Sequence, residues 1–138
     1  MIPAQCMVNH NPPFSYGDCV RACVASLLEL PTEEVRHFFK DGCDGATGQA
    51  RMSEWLLERS YAPFFVHTDG AQSLAEVLQY MAVNNPNVFY MLFGSTESGG
   101  HVVIGRGGEI VHNPAWTGGQ LVGPQSNGFW TICVLTRA

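Results

Sequence analysis

The stretch FSYGDCVRACVASLLELP, residues 14–31, sets the reading of the whole chain. It opens on turn-prone residues, reaches Asp18, and runs apolar to Pro31. Aspartate is a favoured N-cap and proline a stop signal. Between them Val20, Cys23, Val24, Leu27, Leu28 and Leu30 recur at helical spacing, which predicts a buried helix of about three turns. Cys19 then stands at the tip of that helix, with Cys23 one turn inside it. Everything else turns on whether Cys19 is a small core residue or a nucleophile.

Outward from this helix, Thr32 to Phe39 reads as a second, short helix, and KDGCDGATG (40–48) as a loop. Residues 49–60 read as a helix, with Met52, Trp55, Leu56 and Arg59 in period. SLAE, Ser73 to Glu76, is a capping box opening a helix to Met81. Strands follow from PFFVH (63–67), NVFYMLF (87–93), HVVIG (101–105), EIVHN (109–113) and GFWTICVL (128–135). The second of these is β-rich and mostly apolar, so it belongs in the middle of the sheet. Helices first and strands later indicate an α+β fold with an antiparallel sheet, and 138 residues suit one domain spanning 1–138.

With 46% hydrophobic and 14% charged residues the chain is globular, not disordered. A formal charge of -5 and the lack of any basic run argue against nucleic acid or an anionic membrane as partner. The opening MIPAQCMVNHNPPF lacks a charged head and an apolar core, so it does not read as a signal peptide, and a cytoplasmic location is expected. There the five cysteines, Cys6, Cys19, Cys23, Cys43 and Cys133, are expected to be reduced thiols. No CxxC pair supports a structural metal site, and no motif calls for a cofactor. DGCDG has too few carboxylates for a calcium loop, and GRGGE is not a phosphate loop. Nothing specific points to an oligomeric state.

RGG, between HVVIG and EIVHN, signals a hairpin. With a three-residue turn, Arg106 to Gly108, His101 faces Asn113 across the strands, about 5 Å away. A two-residue turn at Gly107 and Gly108 would slip the register and send Asn113 to the other face. An amide oxygen beside a histidine fixes the ring tautomer and frees the second nitrogen to meet a thiol. If that thiol is Cys19, the helix dipole and a neighbouring imidazolium both favour the thiolate.

GDCVRACVASLLELP, GGHVVIG and EIVHNP together resemble the papain-like cysteine peptidase superfamily. They are most similar to its small phage and bacterial members, and the Asp-Cys start is shared with bacteriocin-leader peptidases. The resemblance covers the first helix and the hairpin. It implies a nucleophile helix packed on an antiparallel sheet, with Cys19 as nucleophile, His101 as general base and acid, and Asn113 as the orienting residue. Many relatives of the small type carry aspartate where Asn113 stands. An oxyanion-hole amide is expected upstream of the nucleophile. Of Gln5, Asn9 and Asn11, none has the usual spacing, and Asn9 is the candidate, with the backbone N–H of Cys19 as a second donor. Trp116, three residues past Asn113, is the candidate substrate-binding residue.

His112 is expected on the opposite face of its strand, while His10, His37 and His67 lack evident partners. Ser95 and Ser98 fall in GSTESGGH, read as a glycine-rich loop. The leading expectation is a thiol hydrolase that cuts a peptide or amide bond in a protein or peptide substrate through a thioester. The same triad would serve a transglutaminase, an acyltransferase or a deamidase. A third expectation is a catalytically inactive papain-like module that sequesters a host factor.

Overall fold

The computed structural model describes residues 1–116 and 119–138. The chain divides into two compact units, Met1–Pro63 with Leu135–Ala138, and Phe64–Val134.

In the first unit α1 spans Cys19–Leu28 and buries Ala22, Cys23, Val24, Ala25 and Ser26. Five consecutive buried residues mean that the middle of the helix is covered on all sides. It ends at Glu29, whose left-handed backbone (φ 59°) lets Leu30 return its N–H to the Ala25 carbonyl. The N-terminal arm is tied to this helix and its surroundings. Ser26 Oγ accepts the Ala4 N–H (2.8 Å), and Thr32 Oγ1 donates to the Gln5 carbonyl (2.8 Å).

The helix expected over Thr32–Phe39 is only one 3₁₀ turn, Thr32–Glu34. Val35 leaves it in extended geometry, and its carbonyl is taken by Arg21 Nε at 2.6 Å, so helical bonding stops there. Conversely, α2 spans Gly45–Leu57 and starts inside the expected loop. Asp44 caps it, accepting the Thr47 N–H at 2.7 Å. Gly48, a weak helix former, is suited by packing, since a Cβ there would collide with the Phe39 ring.

The second unit holds most of a five-stranded antiparallel sheet in the order β1-β5-β2-β3-β4. The strands are β1 (Tyr61–Asp69), β2 (Phe89–Thr96), β3 (Gly99–Arg106), β4 (Glu109–His112) and β5 (Phe129–Arg137), and the ends of β1 and β5 belong to the first unit. β2 is the middle strand, as its apolar composition predicts. The capping box forms as expected, with Ser73 and Glu76 exchanging hydrogen bonds, and α3 (Leu74–Asn84) runs one turn past Met81. Val77 and Met81 of α3 pack with Tyr90, Leu92, Val103, Trp130 and Ile132 on one sheet face, joined by Leu121. Among the described residues no helix is long and apolar enough to cross a membrane.

Candidate functional site

The β3–β4 connection decides how His101 and Asn113 relate. The turn has two residues, not three: Arg106 pairs with Glu109 and Gly105 with Ile110. Gly107 turns at φ 54°, where a Cβ would also strike the Pro86 carbonyl. By itself this slip would send Asn113 to the wrong face. The register then shifts, and Ile104 pairs with His112. Val111 is the extra residue of a β-bulge, and it restores the parity that the turn removed. His112 accordingly shares the face of Ile104 and is buried, opposite in parity to His101.

The result is a hydrogen bond of 2.8 Å between His101 Nε2 and Asn113 Oδ1. The amide is fixed at both ends, because its Nδ2 donates to the Gly119 carbonyl (3.0 Å) and its Oδ1 also accepts the Ala115 N–H (3.1 Å). Oδ1 can only accept, so Nε2 carries the proton and a neutral His101 keeps its lone pair on Nδ1. Across β2, His101 is opposed by Gly94, so no side chain from that strand crowds its ring. A Cβ on Gly94 would sit 2.6 Å from the Trp130 ring, which places His101 at the end of the face that α3 covers.

A segment beyond Asn113 frames the ring. Gly119 stands so that a Cβ would lie 3.7 Å from His101 Nε2. Further on, Ser95 binds the segment three ways: its N–H to the Gly123 carbonyl (2.8 Å), its carbonyl to the Val122 N–H (2.8 Å) and its Oγ to the Pro124 carbonyl (2.6 Å). Ser95 is therefore a strand residue and an anchor, while Glu97 and Ser98 form a tight β2–β3 turn where a looser loop is expected. Trp116 is 70% exposed.

Cys19 is the first residue of α1 and is half-buried. Asp18 occupies the N-cap position but its side chain does not cap the helix. Asp44 and Ser73, which do cap, have extended backbones (ψ 169° and 163°), whereas Asp18 has ψ 35°. Its buried carboxylate turns instead to the N-terminal arm. It accepts the Met7 N–H at both oxygens (3.0 and 3.2 Å) and the Val8 N–H (3.1 Å), and Arg21 Nη1 lies at 3.4 Å. Asn9 is exposed, and its carbonyl accepts the Ser15 hydroxyl.

All five cysteines are thiols, not joined in disulfides. Burial, followed by the charges of Cys19 and Asp18, pushes the Cys6 thiol up to about 12. Burial, followed by the charges of Cys19 and Cys6, raises Cys23. Burial lifts Cys133 to about 12 and also raises Cys43, against the pull of Arg51. No family model, curated protein or solved structure matches the chain.

The other histidines have structural partners. His10 Nδ1 accepts the Gly17 N–H, His37 Nε2 meets the Tyr16 carbonyl, and His67 Nδ1 meets the Thr131 hydroxyl. Among the described residues no three His, Cys, Asp or Glu side chains group to hold a metal ion. An open cleft of about 1070 Å³ in the first unit is lined by Arg21, Arg36, Lys40 and Arg51, but also by Glu33, Glu34 and Asp41. Arg51 is paired with Asp41 at 2.8 Å, so the cleft has no clear preference for anions.

Proposed function

We propose that the chain is a papain-like cysteine hydrolase that cuts a peptide or amide bond. The observation that carries this reading is the His101–Asn113 pair, a ring held in one tautomer by an amide that is itself locked. Such a ring presents a basic Nδ1, as a thiol nucleophile requires. Cys19 supports the reading by its place at a helix N-terminus, where the dipole favours a thiolate.

In the proposed reaction, His101 Nδ1 takes the Cys19 proton and the sulfur attacks the substrate carbonyl carbon. The backbone N–H of Cys19 donates to the developing oxyanion. The imidazolium, oriented by Asn113, returns the proton to the leaving amine as the C–N bond breaks and a thioester forms. Water, deprotonated by His101, then hydrolyses the thioester and frees Cys19. Asn113 orients the ring without adding charge, so it stabilises the imidazolium less than an aspartate would.

The test is a comparison of cell lysates incubated with the wild type, Cys19→Ala and His101→Ala, read by mass spectrometry of new peptide N-termini. The proposal expects a set of termini made by the wild type and missing from both variants. Identical termini from the wild type and Cys19→Ala would remove the hydrolase reading. New isopeptide links in place of new termini would assign the thioester to acyl transfer.

A further inference from the structure

One peptide unit ahead of Cys19 is held at both ends by imidazoles. The Gly17 N–H donates to His10 Nδ1 at 3.1 Å, and the Tyr16 carbonyl of the same peptide bond accepts from His37 Nε2 at 2.8 Å. Each contact fixes a protonation state. A carbonyl only accepts, so His37 Nε2 carries the proton and a neutral ring leaves Nδ1 bare. That Nδ1 is buried and has no hydrogen-bond partner among the described residues. A backbone N–H only donates, so His10 Nδ1 must be bare as well, with the proton on Nε2. Asn11 and Ser15 exchange two backbone hydrogen bonds of 3.0 Å, closing a turn that sets His10 against Tyr16 with ring centres 6.1 Å apart. Asp18, next in the chain, is fixed by the Met7 and Val8 N–H groups, and Cys19 follows it.

We propose that His10 and His37 are positioning residues: as neutral rings they clamp the Tyr16–Gly17 peptide ahead of Cys19, and a proton on either ring opens the clamp. Protonation of His10 sets an N–H against the Gly17 N–H and destroys their bond. Protonation of His37 creates a buried N–H with no acceptor, which is costly to keep in place. The charged and titratable groups around the pair are Tyr16, Asp18 with Arg21, Asp41 with Arg51, and Glu33, Glu34, Arg36 and Lys40 of the cleft that His37 lines. Acids and bases among them are equal in number, so the response rests on donor and acceptor roles rather than on net charge. Among side chains of these kinds only imidazole changes charge between pH 5 and 8 in ordinary surroundings. The clamp is therefore closed at pH 8 and opens on acidification, loosening the backbone that delivers Cys19. The clamp does not depend on the hydrolase reading; only the resulting loss of hydrolysis rests on it.

Amide exchange of the full chain reads the clamp directly. Protection of the Gly17 N–H, corrected for intrinsic exchange, should fall about 10-fold from pH 8 to pH 5. His10→Asn keeps an acceptor and His37→Gln a donor near the same places, and neither can titrate. The double variant should keep Gly17 protected at both pH values, whereas His10→Ala should already lose about 10-fold at pH 8. Cys19 alkylation should follow: the wild type and the double variant agree at pH 8, and at pH 5 the wild type is several-fold slower. Unchanged Gly17 protection in the wild type, or the same loss in the double variant, overturns the proposal. If the variants fail to fold, the wild type still decides. Proton–nitrogen correlation spectra of the rings at pH 8 should show both as Nε2–H tautomers, and an Nδ1–H form of either contradicts the clamp. Acid-dependent Gly17 exchange in a chain that cuts nothing would sink the hydrolase reading alone, whereas cutting with acid-insensitive Gly17 exchange would sink this one alone.

Discussion

Around His101 the polar groups form a chain of hydrogen bonds through one side-chain amide, whereas around Cys19 they gather on one buried carboxylate. The first arrangement runs from the ring to Asn113 and on to Gly119 and Ala115, and its purpose is orientation. The second holds the N-terminal arm by the Met7 and Val8 N–H groups and sets the Cys6 thiol against Asp18. Orientation can be built from backbone register and one amide. A buried carboxylate needs several donors around it, and the Cys6 thiol beside it is pushed up by burial first and by the neighbouring charges after that. One corner therefore fixes a lone pair, and the other separates a helix-tip thiol from sealed ones.

The largest expected effect tests that separation. An unfolded cysteine ionises near 9, while Cys6 and Cys133 are held at about 12 by burial first of all. A raised folded-state value means that the unfolded chain releases these protons first. Stability is whole below pH 9 and is lost as pH climbs toward 12. Urea unfolding should show a loss on the order of 5 kcal/mol between pH 9 and 11 from these two thiols, with a further loss from Cys23, which burial also raises. Cys133→Ala should remove about 2 kcal/mol of that loss over the same range; an unchanged slope would mean that Cys133 is not sealed.

Next in size is Asp18→Ala. It strands the Met7 and Val8 N–H groups and one contact of Arg21, and should cost about 3 kcal/mol. Hydrogen exchange at Met7 and Val8 should rise with it; slow exchange there would show that the arm has other anchors. Asn113→Ala should leave the fold nearly intact but lower Cys19 reactivity by about 10–100-fold, about 1.4–2.7 kcal/mol. Asn113→Asp should recover most of that loss, and equal losses in both would deny Asn113 its orienting role. Ser95→Ala removes the 2.6 Å bond to the Pro124 carbonyl and should cost about 1 kcal/mol, with faster exchange at Val122. Smallest is Ser60→Gly. Ser60 sits at φ 63°, and relieving it should raise stability by about 0.5–1 kcal/mol in thermal unfolding.

Local signals were legible where the structure keeps them local. Ser73 and Glu76 announce the start of α3, and the apolar run 87–93 announces a middle strand. The approach of His101 to Asn113 was also legible, although by a different route. The expected three-residue turn and the observed two-residue turn with a bulge at Val111 give the same parity. What escaped the sequence was set by partners far along the chain. Ser95 anchors Pro124 across 29 positions, and no short motif carries such a bond. Arg21 ends the 3₁₀ turn by taking the Val35 carbonyl, and the Phe39 ring leaves no room for a Cβ at Gly48. Asp18 has the residue type of a cap, but its backbone angle and the arm beside it give its carboxylate other work.

The central claim is that a thiol at the tip of α1 depends on the imidazole that Asn113 orients. It is tested most directly by alkylating the folded chain with iodoacetamide across pH, mapping the label, and repeating with His101→Ala. Because Cys6, Cys23, Cys43 and Cys133 are all pushed up, labelling at neutral pH should fall on Cys19 alone. Its rate should persist well below the ordinary thiol range, roughly pH 8.5, and return to that range in His101→Ala. Superimposable pH profiles for the two proteins would contradict the account.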